Sequence, residues 1–242
     1  MNVMIYKDKE TASRAAATII AAQILQKPNS VLGLATGSSP LLTYKNLVRL
    51  YEEGVISFAD VISFNLDEYI GLAADHPQSY AHYMRDNLFS YVDIDSEQYF
   101  IPNGVVEDPE TECLDYEEMI DAYGGIDLQL LGLGGNGHIG FNEPSDHFAP
   151  MTHVVDLAES TIMANSRFFD SIDEVPTTAI SMGTGSIMKA KSILLIAFGQ
   201  EKAQAVYNMV NGQISPNTQA SLLQVHNDVT VLIDEDAASL LQ

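Results

Sequence analysis

An apolar run that empties into glycines constrains this chain more than any other stretch: residues 126–144 read IDLQLLGLGGNGHIGFNEP. The run 126–131 predicts a buried parallel strand, because a strand covered on both faces loses the polar–apolar alternation. Gly132, Gly134, Gly135, Gly137 and Gly140 then predict a strand-end loop that can adopt positive φ and let a ligand approach the backbone. Asn136, His138, Asn142 and Glu143 lie in that loop, ahead of Pro144. A histidine with a carboxylate five residues on can be held and oriented by it, an arrangement suited to proton transfer near neutral pH. A plain glycine turn is the bland alternative. Four polar groups on one loop at a strand C-terminus, where open α/β sheets place their ligands, favour a site instead.

Composition bounds the rest. At 242 residues the chain can form one large α/β domain or two small ones. No apolar run approaches the ~20 residues of a membrane helix, and MNVMIYKDKE lacks signal-peptide architecture. The single cysteine, Cys113, excludes an internal disulfide framework and a Cys-rich metal site, and a cytoplasmic protein is expected. The net charge of −22 argues against nucleic acid and anionic membranes, which need basic patches. With 11 Lys and Arg in all, a phosphate has to be held mainly by backbone N–H groups and one or two chosen cations. His76, His82, His138, His147, His153 and His226 are too dispersed for a metal-ligand motif, so no metal is expected.

Along the chain, 3–6 reads as a strand, and Asp8 precedes an Ala-rich helix that ends near Lys27-Pro28. The strand 31–34 runs into Ala35-Thr36-Gly37-Ser38-Ser39-Pro40, which opens a helix over 41–53 closed by Gly54. Free N–H groups, hydroxyls and a positive helix end thus face one point, an anion cradle. It is neither G-x-G-x-x-G nor a Walker A motif, so neither a dinucleotide nor ATP is indicated, and an ordinary capped βα turn stays open. A third strand, 61–65, is followed at once by Leu66-Asp67-Glu68-Tyr69. Adjacent acids there read either as a solvated turn or as residues pointing into the ligand crevice. A helix is predicted from His76 to about Leu88, a short strand over 99–101 and an acidic helix over 109–123. Residues 145–178 are polar with weak periodicity, and so long a connection suits a lid. Within it, Arg167 lies between aromatics in NSRFF, either a surface or stacking group or a phosphate ligand. Strands at 179–182, 192–197 and 229–233 follow, with a helix from Gly199 that has Lys202 in its first turns, a cation that opposes the helix dipole and hints at an anion. With no repeat or linker, one domain over 1–242 is expected.

The blocks LATGSSP (34–40), FNLDEYIGL (64–72), HPQSY (76–80), LGLGGNGHIGFNEP (131–144), NSRFFD (165–170), MGTGSIMKAKSILL (182–195) and GQEKA (199–203) together resemble the glucosamine-6-phosphate deaminase (isomerising) family. The likeness runs in order over nearly the whole chain. It implies a Rossmann-like three-layer α/β fold, a mostly parallel central sheet flanked by helices. It also implies a reaction without metal or cofactor: glucosamine 6-phosphate and water give fructose 6-phosphate and ammonia. By motif, Asp67 is implied as the base moving a proton between C2 and C1, and His138 as the group that opens the ring, oriented by Glu143. Thr36, Gly37, Ser38, Ser39, Arg167 and Lys202 match the positions that hold the phosphate, and residues 157–180 match the active-site lid.

Two departures from the family pattern stand out. Many members carry Asp where this chain has Asn136; an amide can orient His138 but not stabilise its cation by charge, so Glu143 should carry more of that work. Longer, regulated members have basic residues after NEP and a C-terminal extension; here 145–153 holds no Lys or Arg and the sequence ends at Gln242. A short, unregulated type is therefore expected, without activation by N-acetylglucosamine 6-phosphate. Those longer enzymes are hexamers, and self-association stays open here. The rivals are a 6-phosphogluconolactonase or ribose-5-phosphate isomerase, which share the cradle but not NLDEY with GHIGFNEP. A sugar-phosphate sensor would want an attached basic helix-turn-helix.

Overall fold

A computed structural model describes residues 1–241; Gln242 and the side chains of Ser160, Ala164 and Phe168 lie outside the described residues. The first half runs β1 (Asn2–Tyr6), α1 (Lys9–Gln26), β2 (Val31–Leu34), α2 (Leu41–Glu52), β3 (Ile62–Asn65), β4 (Asp67–Tyr69), α3 (Tyr80–Asn87), β5 (Tyr99–Phe100) and α4 (Pro109–Ala122). The second runs β6 (Leu128–Leu131), β7 (His153–Asp156), α5 (Glu159–Asn165), β8 (Thr178–Ser181), α6 (Thr184–Met188), β9 (Ser192–Ala197), α7 (Ala203–Asn211) and β10 (Val229–Asp234).

Seven strands form one sheet in the order β1-β10-β9-β6-β2-β3-β5, and every pair in it is parallel. All seven therefore end at the same edge of the sheet. The central strands β2, β6 and β9 are buried almost throughout, as their uninterrupted apolar runs require. Helices cover the sheet, giving the three-layer α/β fold. α1 begins where the Asp8 carboxylate accepts the Thr11 N–H at 2.8 Å, an N-cap, and it buries Ala12, Ala16, Ile20 and Ile24 as one stripe four residues apart. Phe64 of β3 stacks on Phe100 and meets Tyr116 of α4 edge-on. Among the described residues no helix is long and apolar enough to cross a membrane.

Several elements differ from the sequence reading. Residues 67–69 are a strand, β4, that leaves the main sheet and pairs antiparallel with β8, which in turn pairs antiparallel with β7. This second, three-stranded sheet was not expected, because the two acids in Asp67-Glu68-Tyr69 mask its apolar signal. The helix expected from His76 starts at Tyr80: residues 76–79 form turns, and Ser79 caps α3 by accepting the His82 N–H. The stretch 145–178, read as a long polar connection of weak periodicity suited to a lid, contains β7 and α5. Residues 178–180 of the expected lid lie in β8.

Candidate active site

The parallel order runs outward from β2 in both directions: β3 lies on one side of it and β6, formed later in the chain, on the other. The loops leaving β2 and β6 diverge at that switch point and open a crevice beyond the strand ends. A cleft of about 750 Å³ occupies it. Thr36, Gly37, Ser38 and Ser39 line it from the end of β2, and Asp67 from the end of β3. Asn136 and His138 enter from the loop after β6, Lys202 from the turn after β9, and Arg167 from the segment following α5. Glu143 stands behind His138, joined to it by hydrogen bonding. Nine of the ten residues singled out from the sequence thus line one cavity, and the tenth, Glu143, touches it through His138.

The loop after β2 is held from outside by tyrosines. The Tyr44 hydroxyl donates to the Ala35 carbonyl at 2.5 Å and the Tyr83 hydroxyl to the Gly37 carbonyl at 2.6 Å. With those carbonyls occupied, the loop's N–H groups and hydroxyls are left for the cleft, ahead of the N-terminus of α2. Opposite lie two cations. Burial lowers the Lys202 pKa and the like charge of Arg167 lowers it further, against the opposing pull of Glu201. Two cations near enough to oppose each other's charge are an arrangement that an anion would relieve.

Asp67 is 6% exposed. Burial, with the neighbouring Glu68 carboxylate adding its charge, pushes its pKa up to about 8. Its Oδ2 lies 3.6 Å from the point a Cβ on Gly140 would occupy, and the Ser181 hydroxyl lies 3.0 Å from that point, so a side chain there would crowd the serine. Gly140 also has φ +58°. Glu68, which the sequence could place in a solvated turn, is 2% exposed. It accepts the N–H groups of Tyr69, Tyr80 and Ala81, each at 2.9 Å, and so closes the N-terminal end of α3.

The glycine loop holds its histidine by a chain of hydrogen bonds. The His138 N–H donates to Asn136 Oδ1 at 3.1 Å, and Asn136 Nδ2 donates to Glu143 Oε2 at 2.6 Å. His138 Nδ1 faces the same Oε2 at 3.3 Å. Burial opposes ionisation of Glu143, but its bonds with His138, Thr161 and Asn136 outweigh that and hold its pKa at about 2. An ionised carboxylate only accepts, so the Nδ1 of a neutral His138 must carry the hydrogen and Nε2 the lone pair. The ring lies directly over Gly134, where a Cβ would come within 2.3 Å of its Cδ2 and Nε2. The sequence reading missed Thr161, which donates to Glu143 Oε1, and Asn165, which donates to the Tyr69 hydroxyl at 2.8 Å. No local motif marks either, since their partners lie on other elements.

Comparison with known proteins is consistent with this geometry. A family model described as glucosamine-6-phosphate isomerases/6-phosphogluconolactonase matches residues 7–232. A glucosamine-6-phosphate deaminase of Clostridioides difficile is 55% identical over 241 residues, covering 100% of this chain and 97% of that protein. One from Clostridium perfringens is 52% identical over 242 residues, with all of both chains covered. A solved structure of a monomeric glucosamine-6-phosphate deaminase superposes with a TM-score of 0.97 at 50% identity, over 99% of this chain and 100% of that one. The 6-phosphogluconolactonase of Trypanosoma brucei has a TM-score of 0.76 at 20% identity, over 100% and 98% of the two chains, and shares the fold alone. With one family model spanning residues 7–232 and relatives more than half identical along the whole chain, this chain belongs to the glucosamine-6-phosphate isomerase/6-phosphogluconolactonase family.

Proposed function

We propose that the protein converts glucosamine 6-phosphate and water to fructose 6-phosphate and ammonia. The observation that carries this is the shared cleft: a buried carboxylate of raised pKa and a glutamate-held imidazole open on one cavity that the Thr36–Ser39 loop, Arg167 and Lys202 also line. The phosphate sits against Thr36–Ser39 with Arg167 and Lys202, which leaves the sugar ring between Asp67 and His138. His138 Nε2 takes the proton of the C1 hydroxyl and returns it to the ring oxygen, opening the pyranose. Glu143 keeps the hydrogen of His138 on Nδ1 and stabilises the imidazolium while it exists, and Asn136 orients both. Asp67, ionised, removes the C2 proton; the electrons form an enolamine across C1 and C2. The same proton goes back to C1, and the resulting C2 imine adds water and expels ammonia. No step calls for a metal or redox cofactor.

The likeness to an enzyme described as monomeric supports a monomer as the acting unit, and the absence of Lys and Arg from 145–153 supports an unregulated one. Residues 157–177 act as the lid of a single catalytic domain. The cytoplasm, where phosphosugars are made and used, is its place of action. Ammonia release from glucosamine 6-phosphate, assayed with a chelator present, tests the reading. Activity is expected, with kcat/KM rising with pH through about 8 as Asp67 ionises. No ammonia but rapid hydrolysis of 6-phosphogluconolactone would assign the site to the other reaction of the family.

A further inference from the structure

Glu143 has two oxygens, and they are held by different parts of the molecule. Oε2 accepts from Asn136 Nδ2 and faces His138 Nδ1, both on its own glycine loop. Oε1 accepts from the Thr161 hydroxyl, which comes from α5. Thr161 is 6% exposed, so this bond is shielded from water and not a surface contact.

α5 packs Ile162 against the small apolar cluster of Tyr69, Phe141, Val155 and Leu157. It is seven residues long and its N-cap, Ala158, offers no side-chain hydrogen bond, so by itself it is too short to persist. Among the described residues, its side-chain hydrogen bonds to other elements run to the site. Thr161 and Asn165, four residues apart and hence on one face, reach Glu143 and the Tyr69 hydroxyl. The Phe169 ring meets Tyr69 edge-on. Arg167, on the turn that follows, lines the cleft and shares the electrostatic field of Lys202 at the anion end. One short segment therefore touches both ends of the cleft.

We infer that Thr161 is a positioning residue through which docking of α5 at the phosphate end sets the Glu143–His138 pair at the proton-transfer end. This rests on the proposed function and adds a coupling to it. A phosphate that draws Arg167 toward Lys202 brings α5 down with it, and the Thr161 hydroxyl then fixes the Glu143 carboxylate in the orientation that keeps the hydrogen on His138 Nδ1. With α5 away, Oε1 is hydrated and the carboxylate can rotate. Proton shuttling at the ring oxygen is thus strongest once the phosphate is seated.

The test compares wild type, Thr161→Val and Thr161→Ser for ammonia release from glucosamine 6-phosphate, with inorganic phosphate as a competitive probe of the anion end. Val keeps the shape and removes the hydroxyl; Ser keeps the hydroxyl. The expected result is a kcat for Thr161→Val about ten-fold below wild type, the equivalent of about 1.4 kcal/mol in the barrier. KM and the inhibition constant of phosphate should stay within about two-fold, and Ser should restore most of kcat. Wild-type kcat in Thr161→Val would overturn the coupling. So would a parallel loss of kcat and phosphate affinity that Ser does not repair, since that marks collapse of α5 as a whole. If wild type itself releases no ammonia, it is the proposed reaction that fails.

Discussion

Asp67, buried, and Glu143, half-buried, are carboxylates driven in opposite directions by what surrounds them. Burial and the charge of Glu68 push Asp67 to about 8, whereas three hydrogen-bond donors overcome burial and hold Glu143 near 2. Such a split is how one site keeps a strong base beside a fixed anion. It fixes the sign of a stability effect as well. An unfolded Asp ionises near 4, so between about 4 and about 8 the unfolded chain has released a proton that folded Asp67 still keeps. Stability is lost with rising pH across that window. Asp67→Asn should therefore melt higher than wild type at about pH 9 and almost alike at about pH 4. Its kcat should fall roughly 10²- to 10⁴-fold, the usual contribution of a general base. Melting curves at the two pH values with one rate assay check both. The positions of Asp67 and His138 were legible from the strand ends that precede them. The burial of Glu68 was not, because it depends on α3 presenting its N–H groups from twelve and thirteen residues away.

Elements were legible where one face or both faces are apolar. β2, β6 and β9 declare themselves as uninterrupted runs, and α1 as a stripe with a capping aspartate. β4 and β7 do not: each is three or four residues with an acid in it, and only their pairing through β8 makes them strands. The segment from α5 to Phe169 shows the same limit, since its order comes from Tyr69 and Glu143 and not from its own composition. Its Arg167 is the clearest test of that segment's part in binding. Arg167→Ala should raise KM by the equivalent of about 1.5–3 kcal/mol, one charge-assisted contact, with a smaller effect on kcat. Steady-state kinetics separate the two, and an unchanged KM would remove Arg167 from the phosphate site.

Over the whole molecule, an all-parallel sheet puts the exits of β2, β3, β6 and β9 on one edge, so four sequence-distant loops supply one cleft. Strand order could not be read from residue patterns, which carry no pairing information; the resemblance over the full chain implied only a mostly parallel central sheet. Although the net charge is −22, Lys202 and Arg167, two of only 11 basic residues, line the same cleft. The loop they face is braced by the phenol hydroxyls of Tyr44 and Tyr83. The chain has no tryptophan, so nothing outshines those phenols optically. Occupancy of the cradle by inorganic phosphate should therefore be visible as a saturable change in tyrosine emission from the unlabelled protein, and Tyr83→Phe should mute it. An intrinsic spectroscopic gauge of ligand is thus built into the brace that shapes the binding loop.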